Sequence, residues 1–574
     1  MSSAPPTKNR ASRDWHLNPG FGFPPRTERL VALERTFFDV LVVGGGITGA
    51  AIARDAATRG LEVALVERED WASGTSWRST KLIHGGLRYL QTGNVKLVFE
   101  SLSERSRLTR LAPHLVHPVE FLFPAYRRRG LPTWIVGLGL TVYDLLALGH
   151  SPYLHRRLSR EELLRLEPAL ESPALTGGAA YSDARTDDAR LTLENVLDAV
   201  SLGAVAVSRL EVRGLIHDAS GAARGTEVLD RESGRGFPVR ARAVVSATGP
   251  WADAVRLLDD PDTLPRLRLA KGIHVTVAAA RLPVSRPIAF PASGGRLLFA
   301  IPEGPVTLLG TTDTDYAGSL DEVAAEAPEV AYLLKEANET FPAANLTESD
   351  VVATFASLRP LLREPGKRVE DTSREDAILV SPDGLLTVTG GKLTTHRRMA
   401  VRAMDRAARL LTTQGIAVSA SRTESRKFPG APATSLEESI ASIIRIAASS
   451  TPQIDAGTAD HLARRYGSRA VEVLELVAGN SALSRPLCAG LPDIEAEIVF
   501  AARREDARSL SDVLARRTHL FWQAPRQGGE ALDRAAALMR EELGWSEQRR
   551  ESEIAAYRLE TALSRRFRGG ANPP

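Results

Sequence analysis

Residues 38–70 read FDVLVVGGGITGAAIARDAATRGLEVALVERED. An apolar run over 40–43 ends in Gly44-Gly45-Gly46-Ile47-Thr48-Gly49, a helix-compatible stretch runs to Arg59, and Gly60 is placed to close it. A second apolar run, 61–66, ends in Glu67, 23 residues after the first glycine, with Arg68 beside it. The order is strand, glycine turn, helix, strand, acid. Gly44 permits the tight turn, Gly46 lets the main chain approach a pyrophosphate, and Gly49 lets helix and strand pack closely. The free N–H groups and positive end of the helix face the phosphates. Glu67 is placed to accept from the ribose hydroxyls. With strand and helix on either side, the glycines read as a dinucleotide site. The motif alone does not separate FAD from NAD.

At 574 residues the chain exceeds the size of one core, so two or three domains are expected. An apolar content of 43% and a charged content of 25% are those of a globular protein. Seventy-three basic against 70 acidic residues give a formal +3, which makes no case for nucleic acid. The single cysteine, Cys488, excludes an intrachain disulfide, and with no C-x-x-C no metal is expected. A reducing, cytoplasmic setting follows from the cysteine usage. Residues 1–36 are rich in Pro, Ser and Arg, lack the apolar core of about 7–15 residues that marks a secretory signal, and read as an extension.

After Glu67, residues 71–90 (WASGTSWRSTKLIHGGLRYL) form a polar loop able to hold a ligand by N–H and hydroxyl donors. Residues 131–148 are the most apolar stretch, yet their uncharged part, 131–143, has only 13 residues where a spanning helix needs about 20. A buried helix or a membrane-facing monotopic segment fits them. Ser159-Arg160-Glu161-Glu162 opens a short helix with a capping box, and 188–201 reads as another helix. Residues 204–247 become strand-like and end in Ala247-Thr248-Gly249. Strand-like runs at 273–277, 297–301 and 306–310 precede a helical 322–341. Residues 350–355 are strand-like, 377–389 form a hairpin around Pro382-Asp383-Gly384, and Gly390-Gly391-Lys392 opens a second glycine-to-helix junction. Two such junctions far apart imply one ligand gripped by both ends of a discontinuous domain. From Pro429 onward the pattern is helical.

GGGITGA, SWRSTKLIHGGLRYL, SATGPW, KGIHV, LLGTTDTDY, SLRP and TVTGGKLTTHR resemble, in order, the FAD-dependent glycerol-3-phosphate dehydrogenases, flavoproteins of the D-amino-acid-oxidase type. The resemblance spans about 37–426, and the helical C-terminal region is also similar. It implies an α/β fold: a discontinuous Rossmann-like FAD-binding domain (about 37–125, 185–262 and 355–426), a mixed β-sheet substrate cap (about 263–354) and a helical C-terminal domain (427–574). It implies FAD lined by Ser79, Thr80, His84, Gly85 and Gly86, approached by Ala247-Thr248-Gly249, and closed over by Gly390-Gly391-Lys392-Leu393.

The implied reaction oxidises C2 of sn-glycerol 3-phosphate to dihydroxyacetone phosphate, with hydride passing to flavin N5. The protein must then bind a phosphate dianion and accept a proton. The expected anion binders are Arg88, Arg359, Arg374 and Lys392, since Arg matches phosphate oxygens bidentately and Lys adds a point charge. His274 is the expected proton acceptor, because imidazole titrates near working pH. Tyr89, Thr311 and Thr312 are placed to orient the substrate hydroxyl. A quinone is the expected acceptor, with peripheral membrane contact through residues 134–143. Oxidation by O₂, an amine-oxidase activity with a carboxylate clamp, and a non-enzymatic flavin sensor are the alternatives. A homodimer is the default assembly.

Overall fold

The computed structural model describes residues 22–87, 94–127, 133–147, 149, 151, 153–170, 172–363 and 375–569. Two sheets organise the first three-quarters of the chain. The first has eight strands, ordered Asp376–Val380, Leu386–Gly390, Gly236–Ser246, Phe37–Val43, Val63–Val66 and Val205–Val207, with Leu210–His217 and Ala223–Asp230 attached. Neighbours from Leu386–Gly390 through Val205–Val207 run parallel. Parallel strands are buried on both faces, and residues 40–43 and 63–66 are accordingly apolar without alternation. Helix Ile47–Thr58 packs against Asp188–Ser201 and His396–Thr413. Its alanines permit that close three-helix layer, and it is buried from Gly49 to Thr58.

The topology brings three loops to one edge. Val43, Ser246 and Gly390 end adjacent parallel strands, so Gly44–Gly49, Ala247–Gly249 and Gly390–Leu393 follow from neighbouring carboxyl ends. That edge is where open α/β sheets bind ligands.

The second sheet has ten strands and is mixed, mainly antiparallel. It is larger than the expected 263–354 cap. Strands Leu82–Ile83, His117–Tyr126, Arg156–Leu158 and Leu175–Arg185 join it from earlier in the chain, and Val351–Leu362 runs past 355. Periodicity marks a strand but not its sheet, so the sequence did not separate these strands from the first sheet. Helix Thr133–Leu146 lies against this sheet through Val136, Leu140 and Tyr143, and turns Leu138 and Leu145 outward. The apolar stretch is therefore half-buried, and no described helix is long and apolar enough to cross a membrane.

Beyond residue 430 the chain is helical, from Leu436–Ala448 to Glu547–Ser564. This region is bolted to the rest by buried ion pairs. Asp70 accepts from Arg516 at 2.6 Å and Arg517 at 2.8 Å, Arg209 meets Asp512 at 2.7 Å, and Arg29 meets Asp506 at 2.6 Å. Arg29 belongs to helix Arg26–Arg35, so the N-terminal extension docks at least from residue 26. Ser564 closes the last helix onto the second sheet, its Oγ accepting from Thr354 N–H at 3.0 Å.

Candidate active site

The three strand ends, the second sheet and the C-terminal helices enclose one cavity of about 1390 Å³. That exceeds the roughly 300–1,000 Å³ of a cleft for one drug-sized ligand, as a dinucleotide plus a small substrate requires.

The first glycine corner is set by contact. Gly44 has φ +107°, its N–H donates to Val66 O at 2.8 Å, and a side chain there would lie 2.7 Å from Ala247 O. A Cβ on Gly49 would stand 1.8 Å from Gly44 O, so helix and turn meet only at glycine. Gly45 packs on Trp71 and Glu67. At Gly46 a Cβ would meet only Ser76 Oγ, at 3.1 Å, so the main chain there is open to the cavity. Ile47 and Thr48 also line it. Ser76 was not singled out by sequence. Its hydroxyl accepts from Ile47 N–H at 2.9 Å, at the helix end that suits phosphate.

Glu67 accepts from Gly45 N–H at 2.6 Å and Glu69 N–H at 2.7 Å, one bond per oxygen. Each oxygen keeps a lone pair for a ribose hydroxyl. Burial pushes this carboxyl above its usual range, against the pull of those two N–H groups. Arg68 stacks its guanidinium 5.1 Å over Trp251 on the cavity wall.

The second and third corners complete the clasp. Gly249 has φ +54°, and a Cβ there would meet nothing within 4 Å. Gly391 has φ +77° with Met399 Sδ filling the space a side chain would take, which hands Lys392 and Leu393 to the cavity wall. The His84 loop is tied to this corner: His84 N–H donates to Thr394 Oγ1 at 3.1 Å, and that hydroxyl donates back to His84 O at 3.2 Å. Gly85 N–H donates to Tyr143 OH at 2.9 Å, and Tyr143 donates to Asp183 at 2.8 Å. Tyr143 lies in the apolar stretch, so this helix supports the cofactor loop, a role invisible in its hydropathy. Gly86 lines the cavity.

The substrate side is written in strand register. Strand Leu267–Ala278 pairs with Val351–Leu362 so that Ala270 opposes Arg359, Gly272 opposes Ser357 and His274 opposes Phe355. Opposed residues, and those two apart, share a face. Gly272, His274, Phe355, Ser357 and Arg359 therefore lie on one surface. A Cβ on Gly272 would stand 2.3 Å from Arg359 Nη2, and one on Gly310 would stand 2.3 Å from His274 Cδ2. These glycines make room for the two functional side chains. Arg359 donates to Thr311 Oγ1 at 3.0 Å, Thr312 O at 3.1 Å and Asp313 Oδ1 at 3.0 Å. Thr312 is buried, its hydroxyl accepting from Ile273 N–H at 3.0 Å, so it braces Arg359 through its carbonyl. Asp313, Ser357 and Arg296 also line the cavity and were not singled out by sequence.

His274 is buried, with its ring stacked 5.0 Å from Phe355 and its Nε2 2.9 Å from Thr80 Oγ1. Burial first, then the positive charges of Arg359 and Lys81, hold it well below the usual imidazole range. Both causes favour the neutral ring. Ser79 lines the cavity, and its hydroxyl donates to Asp188 at 2.7 Å, which fixes the loop there. Arg88, Tyr89 and Arg374 lie outside the described residues.

Glycine corners open to the cavity, the N-terminus of helix Ile47–Thr58 beside them and Glu67 at the end of the second strand define a dinucleotide-binding protein, and the residues fit a flavin dinucleotide. Residues 39–397 match the family described as FAD dependent oxidoreductase, and 421–550 match the C-terminal domain of alpha-glycerophosphate oxidase. The chain is 36% identical to the aerobic glycerol-3-phosphate dehydrogenase of Staphylococcus saprophyticus, over 84% of this chain and 86% of that one. It is 34% identical to the alpha-glycerophosphate oxidase of Enterococcus casseliflavus, over 93% and 96%. A solved glycerol-3-phosphate dehydrogenase from Bacillus halodurans, complexed with FAD, superposes with a TM-score of 0.79 at 31% identity, covering 95% of this chain and 98% of that one. The chain belongs to the FAD-dependent glycerol-3-phosphate dehydrogenase family, and its cofactor is FAD.

Proposed function

We propose that this protein oxidises sn-glycerol 3-phosphate at C2 to dihydroxyacetone phosphate and passes the electrons to a membrane quinone. The observation that carries the reading is the shared strand face on which Arg359 and His274 stand beside the cavity that the glycine corners enter. FAD, when bound, supplies the two-electron oxidant for the C2–H bond.

The chain's own residues do the rest. Arg359, held flat by Thr311, Thr312 and Asp313, presents a planar fork to the phosphate dianion, and Lys392 adds a second charge from the opposite corner. Fixing the phosphate holds C2 within the cavity and gains the entropic advantage of a held reactant. Neutral His274 accepts the hydroxyl proton. A dianion on Arg359 cancels part of the positive field that depresses this imidazole, so substrate itself strengthens the base.

The outward Leu138 and Leu145, with exposed Leu154 nearby in sequence, support peripheral attachment to a bilayer, where the quinone resides. The similarity to an oxidase supports a second reading in which O₂ is the acceptor. Anaerobic addition of sn-glycerol 3-phosphate is expected to bleach the flavin. Recovery of colour with a quinone analogue much faster than with air supports the quinone reading, and equal rates support the oxidase. An unbleached spectrum sinks both.

A further inference from the structure

His274 reaches the cavity wall with almost none of its surface open. It is 1% exposed, walled by Phe355 on one ring face and by the backbone at Gly310 on its Cδ2 edge. Its Nδ1 has no hydrogen-bond partner among the described residues, and its Nε2 faces one group, Thr80 Oγ1, at 2.9 Å. Thr80 is half-buried and lines the cavity. The hydroxyl thus occupies the base's Nε2 while its residue faces the same cavity.

Its position is fixed from both sides by one buried carboxylate. Asp188 accepts from Ser79 Oγ at 2.7 Å and from Ser79 N–H at 3.1 Å, and its other oxygen accepts from Lys81 Nζ at 2.7 Å. Lys81 sits at φ +58°, a left-handed conformation that a non-glycine residue keeps only where its surroundings demand it. The turn and the double clamp leave Thr80 alone of the three without a bond to Asp188, and aim its hydroxyl at the imidazole.

We propose that Thr80 is a catalytic residue that relays the substrate's C2 hydroxyl proton to His274. This rests on the substrate reading above. In the free enzyme Nδ1 carries the imidazole proton and Nε2 accepts from Thr80 O–H, which leaves a lone pair of the threonine oxygen for the substrate. As the electron pair of the C2–H bond passes with its hydrogen to the FAD oxidant, the C2–O bond becomes a carbonyl. The hydroxyl proton moves to Thr80 Oγ1 while the threonine's own proton moves to Nε2. Thr80 ends unchanged, and His274 ends as imidazolium. A relay also explains why a base can be dry: water kept from the ring cannot compete for Nε2.

The test is a three-variant anaerobic stopped-flow series with sn-glycerol 3-phosphate, run beside nitrogen-15 histidine spectra of the same holoenzymes. Thr80→Val is expected to slow flavin reduction by about 100-fold or more, the scale of a lost proton-transfer group, with dihydroxyacetone phosphate affinity and flavin content within about threefold of wild type. Thr80→Ser is expected to restore most of the rate, and the His274 Nε2 resonance is expected to shift in Thr80→Val but not in Thr80→Ser. Reduction of Thr80→Val at the wild-type rate overturns the relay, as does equal slowing in both threonine variants with an unmoved resonance. His274→Ala reduced at the wild-type rate removes its terminus. A wild type that is not reduced at all, a separate result, overturns the substrate reading and the relay with it.

Discussion

Arg359 and His274 owe their poses to residues that carry no function of their own. Gly272 leaves the space in which the Arg359 guanidinium lies, and a methyl there would stand 2.3 Å from Nη2. Gly272→Ala is therefore expected to reproduce the loss of Arg359 while keeping the arginine. Both variants should raise KM for sn-glycerol 3-phosphate by about 10- to 100-fold, the value of a charged hydrogen bond, and leave flavin content intact. Arg359→Lys should recover little, since a point charge does not reproduce the fork. His274 sets the pH response. Its charge-free form is the acceptor, and burial with Arg359 and Lys81 holds its titration below the ordinary imidazole value of about 6.5. The acid limb of kcat/KM should thus fall below that value. The limb of kcat should lie higher, because bound phosphate offsets Arg359; coincident limbs would contradict the coupling.

At the scale of elements, one close contact decides whether the cofactor site exists. Helix Ile47–Thr58 approaches the turn so nearly that a Cβ on Gly49 would fall 1.8 Å from Gly44 O. Gly49→Ala is expected to force helix and turn apart, cost about 1–3 kcal/mol as overpacking does, and yield protein with little flavin absorbance per chain. Full flavin content in that variant would show that the corner can relax. Residues 38–70 disclosed this element completely, because strand, glycine turn and helix are local and their spacing is fixed by chain geometry. The substrate sheet was less legible. His274 and Arg359 were picked out from motifs, but their common face depends on the pairing of Ala270 with Arg359, residues 89 apart in number. Register across such a separation is chosen by the packing of both strands and leaves no local mark. Thr312 shows the same limit: its hydroxyl bonds Ile273 N–H within the sheet.

Across the whole molecule, the C-terminal helices act as a strut that spans both sheets. They grip Asp70 next to the dinucleotide strand and Thr354 on the strand of Arg359. Asp70→Ala would leave Arg516 and Arg517 buried without that carboxylate, a loss of about 3–5 kcal/mol for a broken buried pair, visible as a lowered Tm and weaker FAD retention. Acid should release the same strut. The Arg29 and Arg209 guanidinium groups, set against the burial that opposes them, hold Asp506 and Asp512 below the usual carboxylate range. A depressed folded pKa stabilises above the unfolded value of about 4, and that stability is lost as pH falls from there through the folded values. Tm should therefore drop steeply below pH ~4, and Asp506→Asn should flatten the slope. An unchanged slope would show that these pairs do not hold the domain.

The amino-acid order by itself determined the dinucleotide corner, the helical character of the C-terminal quarter and, by resemblance, the flavin and its chemistry, because those signals sit within a few turns of chain. Tertiary structure alone decided which strands share the substrate sheet, that Tyr143 of the apolar helix supports the cofactor loop, that Asp188 clamps the chain on both sides of Thr80, and that His274 Nε2 meets the hydroxyl of that threonine. Those are contacts between distant segments. They arise when sheets and helices close around a common core, and no spacing along the chain encodes them.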